Sequence, residues 1–169
     1  MTHDDMDKHV FGARYELLCK VLALIAGVVL VFMSITTVIS VLGRYLLDAP
    51  IMGDSEIVQM LTGVAVSLSL PYCHMRYGNV IVDVFTAHAP LRFKATLDII
   101  GSLLLAILAL ILAWQTSRGA IDVYSYGNET MMLRMKEWLF YIVIAAGLYL
   151  LSIAGFIVAW RHVIWWRKG

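Results

Sequence analysis

Four stretches of the chain, Val21 to Gly43, Ile57 to Cys73, Ile99 to Ser117 and Trp138 to Trp160, contain neither a charged residue nor a histidine. Each has roughly the length, about 17 to 25 residues, that an α-helix needs to cross a hydrocarbon core. Within that core a helix satisfies its own backbone groups, which an open chain does not. A hydrophobic fraction of 61% and a mean hydropathy of +0.81 agree, since soluble domains hold roughly 45 to 50% apolar residues. The expected class is all-α: an integral membrane protein with four transmembrane helices at about 17–45, 55–75, 92–118 and 136–162. The short connections leave no room for a separate soluble domain, so residues 1–169 read as one membrane domain.

Asp4, Asp5 and Asp7 precede the first apolar run. A secretory signal instead starts basic and carries a shorter apolar core, so the first stretch is expected to be a retained span. Cys19 and Cys73 form no CxxC pattern and suggest neither a metal site nor a disulfide framework. The formal net charge of +1 offers no argument for a nucleic-acid partner.

The distribution of charge is more informative. Lys8, Arg14 and Lys20 precede the first span; Arg76, Arg92 and Lys94 lie between the second and third; Arg161, Arg167 and Lys168 follow the fourth. The other two loops hold only Arg44, and Arg118, Arg134 and Lys136. The positive-inside rule then predicts cytoplasmic N- and C-termini and a cytoplasmic middle loop. Tyr45, Trp114 and Trp138 are expected near the outer surface, with Tyr15, Tyr72, Tyr77, Trp160, Trp165 and Trp166 near the inner one.

Local signals refine the connections. Asp48-Ala49-Pro50 reads as a turn, Asp54 as an N-cap, and Ser55 and Glu56 suit the positive end of the following helix. Pro71 removes a backbone donor and is expected to bend the second helix. From about 79 to 89 the polar Asn79, Asp83 and Thr86 form one stripe opposite Val80, Ile81, Val84 and Phe85. That pattern predicts a short amphipathic helix in the cytoplasmic interface, in contact with membrane lipids. Gly119 to Lys136 reads as a polar outer connection with a turn at Gly127-Asn128. Its Asn128-Glu129-Thr130 matches a glycosylation pattern by chance.

None of the twelve Asp and Glu residues falls in the uncharged runs. A carrier that works alone by proton or sodium exchange normally places a carboxylate inside a span, so this chain is not expected to be one. HExxH, GxSxG and glycine-rich phosphate loops are absent. No catalytic, cofactor or metal residue is assigned, and the chain is not expected to be an enzyme. Two other classes stand beside a scaffold. One is a haem-bearing membrane anchor of a redox enzyme, for which His74 and His162 are the pair at comparable depth. The other is a small self-assembling exporter. Small residues at helical spacing, Ala23/Gly27, Gly63/Ser67, Ala109/Ala113 and Gly155/Ala159, suit close packing between spans or against another protein.

Gly43-Arg44-Tyr45 closes the first span, Pro50 and Ser55-Glu56 open the second, and Arg76-Tyr77-Gly78-Asn79-Val80 leads to Val82-Asp83 and then Ala89-Pro90. In this order and spacing the chain resembles the small membrane subunit, the Q-type small permease component, of tripartite ATP-independent periplasmic (TRAP) transporters. It departs from the usual pattern at Asn79, where a histidine is common, and at Met135-Lys136-Glu137, where a proline often opens the last span. The resemblance implies a scaffold in the bacterial inner membrane, packed against a large sodium-coupled subunit. It also implies a periplasmic substrate-binding protein as a partner, for uptake of an organic acid. Candidate structural or partner-contact residues are then Arg44, Tyr45, Asp54, Glu56, Arg76, Asp83 and Gly155. Arg44 is expected either to pair with Glu56 or Asp54, or to leave Asp48, Asp54 and Glu56 as an acidic outer patch. Arg76 and Asp83 are expected to anchor the interfacial helix.

Overall fold

A computed structural model describes residues 10–47, 52–76 and 91–168. These form four helices: α1 (Val10–Leu47), α2 (Asp54–Met75), α3 (Leu91–Tyr126) and α4 (Trp138–Lys168). Each contains a stretch long and apolar enough to cross a membrane. The interfacial helix expected at about 79–89, Asp83 included, lies outside the described residues.

α2, at 22 residues, is the shortest; at about 1.5 Å per residue it just spans a bilayer core. α3 runs well past the uncharged stretch, through Asp122 to Tyr126, where a polar connection was expected from Gly119 onward. Helical hydrogen bonding continues through Gly119 because neither a proline nor a left-handed residue intervenes until Gly127. That glycine takes φ +65° and donates to the Tyr124 carbonyl while Asn128 donates to that of Val123, both at 3.2 Å. This is the Schellman ending that a left-handed residue after a helix permits.

The helices form a row. Extensive contacts join α1 to α2, α2 to α4, and α4 to α3, and no comparable contact closes the row into a ring among the described residues. α4 is therefore the spine, parallel to α2 on one side and antiparallel to α3 on the other. One end of the row carries the α1–α2 and α3–α4 connections and is called distal here. The terminal end carries both chain ends.

Small residues set the spacing. On the α2 side, a Cβ built on Gly147 would lie 2.6 Å from the Ser67 carbonyl oxygen, and one on Gly63 would lie 2.8 Å from Ile144. Pro71 sits one turn beyond Ser67, inside an α2 that continues to Met75. Having no N–H, Pro71 leaves that carbonyl without its usual helical donor, and it is against this carbonyl that α4 presents a bare backbone. On the α3 side, Ser102, Ala106, Ala109, Ala113 and Ala120 are buried, as are Ser152 and Ala159 of α4. Ser152 donates to the Ala106 carbonyl at 2.9 Å. A Cβ on Gly155 would come within 2.8 Å of the Ala106 Cβ.

α1 packs against α2 through Ala26, Val64, Ala65 and Leu68, flanked by Leu22, Val29, Phe140 and Ile144. A second cluster at the terminal end joins Met75 to Ala154 and Val158, with Tyr15 and Ile157 beside it. There the Tyr15 hydroxyl donates to the Leu150 carbonyl, reaching from α1 to α4. Elsewhere α1 and α3 turn leucine, isoleucine and valine outward, including Leu24, Val28, Val31, Leu108 and Leu112.

Gly155→Leu should force α3 and α4 apart and lower the thermal unfolding midpoint in detergent, at a cost of about 1–3 kcal/mol. Gly27→Leu should be neutral, because nothing lies within 4 Å of a Cβ there. Thermal scans followed by tryptophan fluorescence check the contrast.

Candidate functional site: the distal loops

At the distal end, two connections meet over the start of α2. Gly53, with φ +79° and ψ 13°, occupies the N-cap position and makes no side-chain cap; its carbonyl accepts the first helical bond, from Ile57 N–H at 3.1 Å. Asp54, expected at the N-cap, stands one residue later, because the left-handed turn needs a glycine immediately before the helix. One Asp54 carboxylate oxygen accepts the Ser40 hydroxyl at 2.5 Å. The other accepts the Ser55 N–H at 2.7 Å. The Ser40 contact ties the last turns of α1 to the first turn of α2.

Glu56 reaches to the other loop. Its Oε1 accepts the Met132 N–H at 2.9 Å and its Oε2 the Leu133 N–H at 3.1 Å. These two donors face one carboxylate because residues 130–135 fold on themselves. Thr130 N–H donates to the Met135 carbonyl at 3.0 Å and Arg134 N–H to the Thr130 carbonyl at 3.1 Å. The Thr130 hydroxyl oxygen in turn accepts the Met135 N–H at 3.0 Å. Arg134 completes the turn at φ +50°, and Glu129 pairs with Lys136 as an isolated antiparallel bridge. Leu133 lies over Gly53, where a Cβ would approach it to 2.7 Å. Tyr124 and Trp138 meet edge to face at 5.5 Å across the two ends of the loop.

Anionic acceptors make hydrogen bonds roughly twice as strong as neutral ones, so Glu56 acts as a clamp rather than as a free surface charge. The loop it holds displays Met131 at 97% exposure, with Met52, Met132, Tyr124 and Tyr126 also exposed. Arg44 and Tyr45 are exposed on the last turns of α1. Neither Asp54 nor Glu56 forms an ion pair with Arg44 among the described residues.

At the terminal end, Arg76 follows α2 and its Nε lies 3.1 Å from Glu16 Oε1 on α1. Its guanidinium also lies 5.8 Å from the centroid of the Tyr72 ring. The α1–α2 seam is thus tied by a polar contact at each end, Ser40 with Asp54 and Glu16 with Arg76. His74 is buried on α2 and His162 half-buried on α4. Gly155 sits in the α3–α4 seam, away from both loops.

Ser40, Thr130, Gly53 and Glu16 carry these contacts without having been singled out for them in sequence. A hydroxyl inside an apolar run and a threonine in a loop have many possible partners. Asp54 marked the start of α2 to within one residue, and Gly127-Asn128 was read as a turn but not as the end of a helix.

Over residues 33–164 the chain matches the family model described as Tripartite ATP-independent periplasmic transporters, DctQ component. No curated protein and no solved structure matches it.

Glu56→Ala should release the distal loop and speed tryptic cleavage after Arg134 and Lys136 several-fold, while Glu129→Ala leaves it near the wild-type rate. Limited proteolysis of the purified protein measures both.

Proposed function

The chain belongs to the DctQ component family of tripartite ATP-independent periplasmic (TRAP) transporters, and on that footing we propose that it serves as the membrane scaffold of a secondary transporter. It packs against a large sodium-coupled permease subunit in the bacterial inner membrane, with both of its termini cytoplasmic. Its distal end then faces the periplasm and helps dock the substrate-binding protein for uptake of an organic acid.

The observation that carries the reading is the family match across most of the chain. The physical arrangement supports it. A row of four helices has two broad apolar faces, one for lipid and one for a partner, whereas a closed bundle would bury much of that surface in itself. Burial falls from α4 outward to α1, the least buried of the four. Small-residue faces that let helix backbones approach are largely spent on α2–α4 and α3–α4, which makes the row a self-sufficient brace.

The uncharged run at the middle of each span carries no carboxylate, so the coupling ion and the substrate are assigned to the other subunit. The distal loop offers what a docking ledge needs. Its backbone is held by Glu56, and its exposed apolar side chains Met131 and Met132 are flanked in sequence by the exposed charges Glu129, Arg134 and Lys136. Arg44 and Tyr45 extend the same end. Methionine and aromatic side chains are well suited to interface cores, with charge at the rim.

Co-expression should recover this chain with the large subunit through affinity purification of either. Liposomes with both subunits and the soluble binding protein should accumulate an organic acid under a sodium gradient, and liposomes with this chain alone should not. Uptake by the isolated chain would refute the division of labour.

A further inference from the structure

We propose that the tip of the distal loop, Met131-Met132, is a reversible oxidation site whose sulfoxides change the loop's surface without unfolding it. The loop is anchored on either side of that pair. Thr130 is 5% exposed and exchanges two hydrogen bonds with the backbone of Met135, while Leu133 lies over Gly53. Between these anchors the amides of Met132 and Leu133 donate to the Glu56 carboxylate. Each of these hydrogen bonds joins backbone groups, a hydroxyl or a carboxylate, and no sulfur takes part in them. The thioethers of the tip are left to solvent, with Met131 97% and Met132 65% exposed. Within the spans Met33 and Met75 are 8% and 3% exposed, and Met60 is half-buried. Sulfur oxidation follows exposure, so an oxidant in solution meets the loop before the spans.

A hypohalous acid, HOX, supplies the oxygen. The thioether sulfur gives an electron pair to that oxygen, the S–O bond forms as the O–X bond breaks, halide leaves, and the hydroxyl proton passes to water. Sulfur is oxidised by two electrons and the halogen is reduced by two. The product is a polar side chain where an apolar one stood, and it returns to the thioether through methionine sulfoxide reductases. The consequence for function rests on the docking role proposed above. A partner that covers Met131 and Met132 gains from burying thioethers, whereas covering sulfoxides strips them of water. Oxidation therefore loosens the hold on a docked protein while Glu56 keeps the loop in place. Met52 and Met135, exposed at the same end but off the tip, provide an internal comparison.

Brief treatment of the full-length chain in detergent with hypochlorous acid tests the site directly. Peptide mass mapping should find Met131 and Met132 oxidised about tenfold faster than Met33 and Met75, while tryptic cleavage after Arg134 and Lys136 stays near the untreated rate. In the complex with the large subunit, affinity for the substrate-binding protein should fall about tenfold on oxidation. Methionine sulfoxide reductases for both epimers should restore it. The oxidant should leave the affinity of the Met131→Leu, Met132→Leu double variant at that variant's own untreated value, and should still lower that of Met52→Leu, Met135→Leu. Oxidation of Met131 and Met132 no faster than that of Met33 and Met75 would overturn the site, as would faster tryptic cleavage after treatment. An equal loss of affinity in the Met131→Leu, Met132→Leu variant would place the damage elsewhere and overturn it too. Should the untreated complex fail to bind the substrate-binding protein, the docking role is refuted, and the mapping and cleavage rates alone decide the oxidation site.

Discussion

The bare backbone of α4 is the contact on which the rest of the arrangement depends. Gly147 lets α4 approach the Ser67 carbonyl of α2, and Gly155 lets it approach Ala106 of α3. In a bilayer no hydrophobic force draws helices together, because lipid is as apolar as leucine. What remains is dispersion, which fades within an ångström of separation, and occasional hydrogen bonds such as that of Ser152 with the Ala106 carbonyl. Glycine, alanine and serine at these crossings allow the close approach on which both depend. α2 and α3 flank the spine because α4 is small on two sides; α1, lacking such a seam with α4, joins through α2 and the Tyr15 hydroxyl.

The polar contacts sit where the apolar packing ends. Ser40 with Asp54 and Glu16 with Arg76 fasten the two ends of the α1–α2 seam, and Glu56 fastens the distal loop across the row. Few carboxylates could do this from within the hydrocarbon, where an ionised group is costly. Held at the start of α2, Asp54 and Glu56 have backbone donors to meet and the positive end of the α2 dipole behind them. The same residues that a reading for function would treat as an acidic surface are consumed in holding the surface together, and the side chains left for a partner are methionine, tyrosine and arginine.

A row of helices with charge only at its ends suits support more readily than conduction. It has broad apolar faces and a distal loop held by Glu56. Membership of the DctQ component family of TRAP transporters agrees with such a supporting part.

Much of this was legible in the sequence. The uncharged runs specify helices that cross a membrane, because a charge in hydrocarbon is penalised wherever the helix packs. Gly127-Asn128 was legible as a turn but not as the end of α3, which was expected at about 118 and continues to Tyr126. The small residues at 23, 27, 63, 67, 109, 113, 155 and 159 suggested close packing without naming its object, and within the chain Gly27 packs against nothing within 4 Å of a Cβ. Gly155 shows why: the same spacing serves a seam within the chain or one with another protein, and only the fold sets it against Ala106. Glu56 shows it again, since its reach to the amides of Met132 and Leu133 spans 76 and 77 positions of sequence. By itself the sequence determined that four apolar helices cross a bilayer and where their charges stop, both being solvation properties of each segment alone. The tertiary structure decided the order of helices in the row and the partners of Asp54, Glu56 and Gly155, because these depend on distances between segments far apart in the chain.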